Sequence, residues 1–187
     1  MPWKTIDRKT TYTCKTGWLS VEEHSVQLPD GRVIAPWPWV VSSDFVLVLA
    51  ITQDERFLIF RQTKYAVDVM VNQDTLAPVG GYLEPGEDPK LAALRELQEE
   101  TGYQCQDLIH LSSTVIDANR GSGMGHLYFA TGAKFEEKIE SDDLEEQDLL
   151  LMKRDELEAA LDAGEFRVGV WALVVALGLR YLDRHPS

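Results

Sequence analysis

Residues 81–102 read GYLEPGEDPKLAALRELQEETG and carry the clearest structural pattern of the chain. The side chain of Asp88 can accept hydrogen bonds from the first free N–H groups of a helix. Pro89 suits the first helical position, and Gly102 suits the residue that ends a helix. The segment therefore predicts a helix over Pro89–Thr101. Apolar positions spaced by three predict its buried stripe: Leu91, Leu94 and Leu97.

Three carboxylates share one face of this predicted helix, because Glu99 and Glu100 follow Glu96 by three and four residues. Like charges so placed destabilise a helix by about 0.2–0.5 kcal/mol per pair. A divalent cation would offset this repulsion, since Mg²⁺ prefers carboxylate oxygens. The alternative is an acidic face that contacts only solvent, and for an isolated E-x-x-E-E pattern that alternative is the better interpretation.

Charge and composition narrow the classes of function. The 187 residues include 31 acidic and 18 basic ones, and the net charge of −13 should repel nucleic acid and anionic membrane surfaces. A phosphate-containing substrate would then need a bound cation at the site. The hydrophobic fraction of 44% fits a soluble folded protein with one main domain.

Cellular location is predicted from the cysteines and the apolar segments. Cys14 and Cys105 have neither the number nor the spacing of a disulfide framework or a zinc site. The first residues lack the apolar stretch of a signal peptide. Val168–Leu179 is too short to cross a bilayer. We expect a cytoplasmic protein with no membrane partner and no nucleic-acid partner.

The chain divides into a small amino-terminal part and a main domain. Residues 1–40 predict an antiparallel β subdomain, with β-prone runs over 10–34 and a turn at Leu28–Arg32. We interpret Pro36–Trp39 as a linker, because two prolines interrupt it. Residues 41–187 form the predicted main domain.

Strands and helices of the main domain are mixed without a regular β-α-β alternation, which favours an α/β sandwich over a doubly wound sheet. The first two strands are predicted to form a hairpin, and a loop-rich region is predicted over 62–78. The predicted strands are Phe45–Ile51, Phe57–Arg61, Leu108–Ile116, His126–Thr131 and Leu149–Lys153, with an acidic loop at Glu136–Asp148 and helices at Arg154–Ala163 and Gly169–Arg184.

The helical segment and the bend before it, residues 81–88, resemble the Nudix box, G-x5-E-x7-R-E-U-x-E-E-x-G-U, in which U is a bulky aliphatic residue. Every fixed position of the pattern is matched, and Tyr103 departs from the last apolar position. Outside the box, residues 28–31 (LPDG), 60–62 (FRQ) and 84–88 (EPGED) are similar to the ADP-ribose pyrophosphatase branch of Nudix hydrolases. That branch also acts on GDP-mannose and other nucleoside diphosphate sugars. The resemblance implies an α/β/α sandwich.

The resemblance implies a magnesium site, in which Mn²⁺ can replace Mg²⁺. Glu96 and Glu100 would bind the metal together with the backbone carbonyl of Gly80. Glu99 would complete the cluster or hold water bound to the metal. Gly80 and Gly81 would let the backbone approach the ions closely, because a side chain there would obstruct them.

The resemblance assigns a supporting role to Glu87 and Arg95, whose opposite charges would lock the bend onto the helix. A glutamate of a late loop is often the general base in this branch. The acidic loop offers Glu145 and Glu146, and a solvent-exposed charge run is the alternative.

Substrate contacts are expected outside the carboxylate cluster. Lys64 stands where the family often has an arginine that binds diphosphate, and an ordinary surface lysine is the alternative. Trp37 or Trp39 would stack on the base, or else pack within the subdomain. Gly81 would also lie against the substrate. The histidines show no catalytic spacing and are interpreted as structural or surface residues: His24, His110, His126 and His185.

The implied reaction is hydrolysis of the diphosphate bond of a nucleoside diphosphate sugar, such as ADP-ribose or GDP-mannose, to a nucleoside monophosphate and a sugar phosphate. ADP-ribose members usually carry Glu-x-Pro-Ala-Gly where residues 77–81 read APVGG, and a proline where residues 116–120 read IDANR. We therefore expect a broader specificity than ADP-ribose alone.

Three alternatives remain open. The first is a nucleotide-sugar sensor with a Nudix fold that does not cleave its ligand, which we would expect to have lost box glutamates. The others are Nudix enzymes for nucleoside triphosphates or capped RNA, which the amino-terminal subdomain and the acidic charge respectively disfavour. The branch further implies a homodimer that exchanges amino-terminal subdomains.

Overall fold

A computed structural model describes residues 2–137 and 147–185 of the chain. These residues form two compact units. The first unit extends to Asp44 and also contains Thr114–Met124. The second contains Phe45–Ser113 and continues from Gly125.

The first unit contains a three-stranded antiparallel sheet in the order β1-β2-β3. Its strands are β1 (Lys4–Thr13), β2 (Leu19–Gln27) and β3 (Val33–Ser42). The linker predicted at Pro36–Trp39 is wrong, because these residues belong to β3. Within the sheet, β3 is an edge strand, where the missing N–H of a proline breaks no ladder on the open side.

The second unit is built on a mixed sheet, and its helices lie on both faces. The elements are β4 (Phe45–Thr52), β5 (Phe57–Gln62), α1 (Tyr65–Val71), β6 (Thr75–Ala77), β7 (Val79–Tyr82), α2 (Pro89–Thr101), β8 (Tyr103–Gln104), β9 (Asp107–Val115), β10 (Met124–Phe135), β11 (Gln147–Met152), α3 (Arg154–Asp162) and α4 (Gly169–Arg184).

The strand order in this sheet is β11-β5-β4-β10-β8, with β6 paired to β5, β7 to β4 and β9 to β10. Strands β4 and β10 are parallel, whereas β4 pairs antiparallel with β5 and with β7. The predicted hairpin of β4 and β5 is therefore confirmed. The loop-rich region predicted over 62–78 is wrong in part, because it also contains α1 and β6.

Strand β4 supplies the centre of the core to both faces of the sheet. Val46 and Val48 pack in one buried cluster with residues of α2. Leu47 and Leu49 pack in a second cluster with residues of α3 and α4. Each such side chain contributes about 1.5–3 kcal/mol by leaving water. The α/β/α sandwich is confirmed.

Helix α2 has the predicted bounds but a different buried face. Leu91 and Leu94 are 61% and 38% exposed, so two of the three predicted stripe positions are wrong. The buried residues are Ala92, Ala93, Leu97 and Thr101. Small side chains at the contact let the helix lie close to the sheet, and a pattern of leucines alone does not reveal this.

In residues 2–137 and 147–185, no helix is long and apolar enough to cross a membrane.

Candidate metal and substrate site

The first turn of α2 fixes the end of the bend. Oδ1 of Asp88 accepts hydrogen bonds from the backbone N–H groups of Lys90 and Leu91, at 2.9 and 3.2 Å. At the other end, Gly102 adopts φ of 74° and donates its N–H to the carbonyl of Gln98. Both caps predicted from the sequence are present, so α2, which carries the glutamates, has the predicted bounds.

Arg95 joins the bend to the helix. Its Nε and Nη2 donate to the two carboxylate oxygens of Glu87 at 2.9 and 3.0 Å, which is a two-point contact. Nη2 also donates to the carbonyl of Tyr82 at 3.3 Å. The hydrogen bonds from Arg95 lower the pKa of Glu87, so this carboxyl group stays ionised to a lower pH than usual. The predicted contact between Glu87 and Arg95 is thus present.

The same guanidinium group holds two carboxylates of α2. Nη1 of Arg95 donates to Glu96 at 2.8 Å and to Glu99 at 3.0 Å. The carboxylate of Glu99 is 55% exposed, while that of Glu96 is 12% exposed. Burial raises the pKa of Glu96, and the contact with Arg95 acts in the opposite direction. The charge on Glu96 is therefore only partly balanced by its neighbours.

The glycine pair lies against these carboxylates. A Cβ atom at Gly81 would overlap with the carboxylate of Glu96, whereas one at Gly80 would overlap with the backbone carbonyl of Val46. The N–H of Gly80 donates to Oε2 of Glu100 at 3.1 Å. In an antiparallel ladder, a residue whose N–H points away from the partner strand turns its carbonyl the same way. The carbonyl of Gly80 therefore points away from β4, as its N–H does.

A divalent cation of the magnesium type fits the chemistry of this cluster. The donors are carboxylate oxygens on one helix face, beside a backbone that lacks a side chain at Gly81. Four glutamates, 87, 96, 99 and 100, contact one guanidinium group or the adjacent strand. Within the described residues, no three His, Cys, Asp or Glu side chains already converge at metal-ligand distance. Instead, Glu96 and Glu99 contact Arg95.

The other predicted site residues belong to other elements of the fold. Lys64 occupies the N-cap position of α1, and its side chain makes no capping hydrogen bond. Nε1 of Trp37 donates to the carbonyl of Asn119 at 2.7 Å, and its ring contacts Trp3 edge-on. Trp39 stacks on His24, with ring centroids 5.1 Å apart. Both tryptophans are thus held within the first unit. The predicted general bases, Glu145 and Glu146, lie outside the described residues.

Two histidines that the sequence interpretation set aside meet in the structure. Ser113 Oγ lies 2.9 Å from Nε2 of His110 and 2.8 Å from Nδ1 of His126. These residues are brought together by the pairing of β9 with β10, which their spacing in the sequence does not show. Only a prediction of which strands pair could have found the cluster.

Alanine substitutions at Gly81 and Gly80 should affect catalytic activity and stability differently. We expect Gly81→Ala to lower kcat about tenfold to 100-fold with little change in Tm, because its methyl group displaces a side chain, Glu96. Gly80→Ala should instead destabilise the fold by about 1–3 kcal/mol, because its methyl group meets backbone. Kinetics and thermal melts measure both.

The control for this pair is Gly169→Ala, since a Cβ there has no neighbour within 4 Å. It should change neither quantity. A Gly81→Ala enzyme with full activity would contradict the placement of Glu96.

Comparison with known proteins places the chain in a family. It matches the NUDIX domain over residues 43–171. It is 30% identical to an ADP-ribose pyrophosphatase of Bacillus subtilis, over 96% of this chain and 92% of that protein. It is 32% identical to a methanol dehydrogenase activator of Bacillus methanolicus, over 82% of this chain and 80% of that protein.

Further comparisons agree. An ADP-sugar pyrophosphatase of Mus musculus is 31% identical, over 87% of this chain and 80% of that protein. A crystal structure described as an ADP compounds hydrolase superposes with a TM-score of 0.81 over 100% of this chain and 97% of that one, at 20% identity, which supports the fold. The chain therefore belongs to the Nudix family, as a pyrophosphohydrolase similar to ADP-ribose pyrophosphatases.

Proposed function

We propose that this chain hydrolyses the diphosphate bond of nucleoside diphosphate sugars, with Mg²⁺ as cofactor and Mn²⁺ as a substitute. The products are a nucleoside monophosphate and a sugar phosphate. The observation that carries the proposal is the cluster of glutamates on α2 around Arg95 and the glycine pair. Nudix proteins typically use divalent metal ions, which supports the choice of cofactor.

The metal ligands in this proposal are the carboxylates of Glu96 and Glu100 and the carbonyl of Gly80, with Glu99 as a further ligand or a contact to water. When bound, the cation neutralises diphosphate charge and activates the attacking water. Support comes from the direction of Gly80, whose N–H already contacts Glu100. Glu96 can leave Arg95 without stranding it, because Glu87 holds the guanidinium group at two points.

Arg95 and Glu87 act as positioning residues in this proposal. Their two-point contact fixes the bend on α2. The distance between the glycine pair and the glutamates of α2 is thereby held constant. Glu145 and Glu146 are the proposed general bases, each able to take a proton from the attacking water.

The proposed substrate class follows from the relatives, which are named for ADP-ribose and for ADP-sugars. Because the sequence lacks the usual Glu-x-Pro-Ala-Gly of ADP-ribose enzymes at residues 77–81, we propose activity on several nucleoside diphosphate sugars. Lys64 and Gly81 are the proposed contacts of the diphosphate.

A tryptophan is the proposed platform for the base. We favour Trp39 over Trp37, because Trp39 lines a cavity of about 280 Å³ together with Val115 and Arg120. Trp37 already uses its Nε1 in a hydrogen bond to Asn119. Stacking on an aromatic ring tolerates different bases, which suits a broad specificity.

We also propose a cytoplasmic homodimer that exchanges residues 1–40, with residues 41–187 as the hydrolase domain. The exposed apolar side chains of the first unit, Trp3, Ile6, Tyr12 and Trp18, support a partner surface there. Light scattering at micromolar concentration should give twice the chain mass of 21.1 kDa, and a monomer would contradict the proposal.

The function is tested with a panel of ADP-ribose, GDP-mannose, other nucleoside diphosphate sugars and nucleoside triphosphates, each with Mg²⁺. We expect a nucleoside monophosphate and a sugar phosphate from at least two diphosphate sugars, identified by mass spectrometry. Turnover of triphosphates alone would overturn the proposed substrate class. Tight ligand binding with no product from any compound would indicate a sensor.

A further inference from the structure

We propose that His110, Ser113 and His126 form a second cation site, specific for transition metals of the zinc class. Two imidazole nitrogens, Nε2 of His110 and Nδ1 of His126, point at the same hydroxyl oxygen from 2.9 and 2.8 Å. The site shares no residue with the glutamate cluster and does not rest on the proposed function.

The strands hold the two rings in place. His126 lies in β10, in register with Val46 of the buried strand β4. His110 lies in β9, and its ring packs edge-on against Tyr128 of β10 at a centroid distance of 5.3 Å. Ligands on paired strands are positioned more accurately than ligands on loops. The direction of both nitrogens is therefore set by the sheet.

The hydrogen bonds constrain the protonation of the rings. A serine hydroxyl carries one proton, so at most one of the two nitrogens can accept that proton, and the other can donate to the oxygen. In a neutral imidazole the proton can move to the far nitrogen of the ring. Both nitrogens that face Ser113 can then present lone pairs to a cation without loss of a proton to solvent.

Coordination of a cation would replace the hydrogen bonds of the two rings to Ser113. Zinc binds imidazole nitrogen at about 2.0–2.1 Å, which is shorter than the hydrogen bonds of 2.9 and 2.8 Å to Ser113 Oγ, so both rings would have to turn toward a cation that lies beside the hydroxyl group. His110 and Ser113 are exposed, which gives a cation access from solvent. The hydroxyl group of Ser113 or a water molecule would complete the ligands.

Donor type separates this site from the glutamate cluster. Imidazole suits Zn²⁺, Cu²⁺ and Ni²⁺, whereas carboxylates and carbonyls suit Mg²⁺ and Mn²⁺. Among the described residues, no group of three His, Cys, Asp or Glu side chains lies at metal-ligand distance. The strong ligands of this second site are therefore two, His110 and His126. We therefore expect affinity in the micromolar range, on the order of 10⁻⁵ M, and not that of a closed four-ligand site.

The test is a titration of the full chain, labelled with ¹⁵N-histidine, with ZnCl₂ while the ring nitrogens are followed by NMR. Zinc held by the glutamates of α2 does not enter this readout, because it reports coordination at imidazole. We expect one equivalent to shift Nε2 of His110 and Nδ1 of His126 together. The signals of His24 and His185 should stay unchanged.

Variants decide whether the two rings act as one site. His110→Gln should weaken the zinc response of His126 at least about tenfold, whereas the control His185→Gln should leave it unchanged. Ser113→Ala should keep both responses, because the hydroxyl group is the weakest ligand. The proposal fails if neither ring responds at 1 mM zinc, on the order of 100 times the expected dissociation constant, or if His126 responds equally without His110.

Discussion

Replacing Glu96 or Glu100 by glutamine should lower kcat for ADP-ribose about 10²–10³-fold while the protein stays folded. Glutamine keeps the shape of the side chain and removes the negative charge that would bind Mg²⁺. The effect is expected to be large because the carboxylate of Glu96 is only 12% exposed and lies against Gly81, and that of Glu100 contacts the backbone of Gly80, so both are held against the glycine pair. Steady-state kinetics over a range of Mg²⁺ concentrations measures the loss.

The exposed glutamates of the same region serve as comparisons. Glu99 is more exposed than Glu96, so Glu99→Gln should cost about tenfold, less than either of the other two. Glu84→Gln is the control, since this exposed residue lies in the bend outside the contacts of Arg95 with Glu87, Glu96 and Glu99. Full activity of Glu100→Gln at saturating Mg²⁺ would contradict the proposed role of Glu100 as a metal ligand.

Arg95→Met should lower both the activity and the stability of the enzyme. Loss of the guanidinium group leaves the carboxylate of Glu96, which is only 12% exposed, without its ion pair and Glu87 without its two-point contact, so the urea midpoint should fall. Glu96 and Glu99 then lose the guanidinium group that both contact, and kcat should fall about 100-fold. Urea unfolding and kinetics give the two values.

Arg95→Lys is the informative comparison for this prediction. Lysine keeps the charge but cannot make the two-point contact with Glu87, so stability should recover more than activity. Because Arg95 lowers the pKa of Glu87, the pair stabilises the fold above the ordinary pKa of this carboxyl group. The wild type should lose its stability advantage over Arg95→Met as pH falls below about 4.3, the ordinary pKa of a glutamate side chain. A wild-type advantage that grows below this pH would contradict the ion pair.

Local patterns of the sequence predicted the region around α2 well. The cap residue Asp88, the terminal Gly102 and the pair of Glu87 with Arg95 all lie as expected. These features depend on residues within a few turns of each other, so spacing alone specifies them. The side-chain directions of Glu96 and Glu100 depend on β7, and the sequence pattern does not give them.

Features that depend on distant packing were predicted less well. The prolines of residues 36–39 are tolerated because β3 is an edge strand, which only the sheet order reveals. The buried face of α2 follows Ala93 and Leu97 because the sheet lies close to it. The contact of His110 with His126 through Ser113 likewise requires the pairing of β9 with β10. In each case the determining partner lies far away in the sequence.

Binding of Mn²⁺, followed by the electron paramagnetic resonance signal of the free ion, tests the central claim most directly. We expect the wild-type chain to bind Mn²⁺ in competition with Mg²⁺, and the double variant Glu96→Gln, Glu100→Gln to bind it at least about 100-fold more weakly. His110→Gln should bind Mn²⁺ as the wild type does, because imidazole is not its preferred ligand. Equal binding of Mn²⁺ by the wild type and the double variant would contradict a metal site on α2.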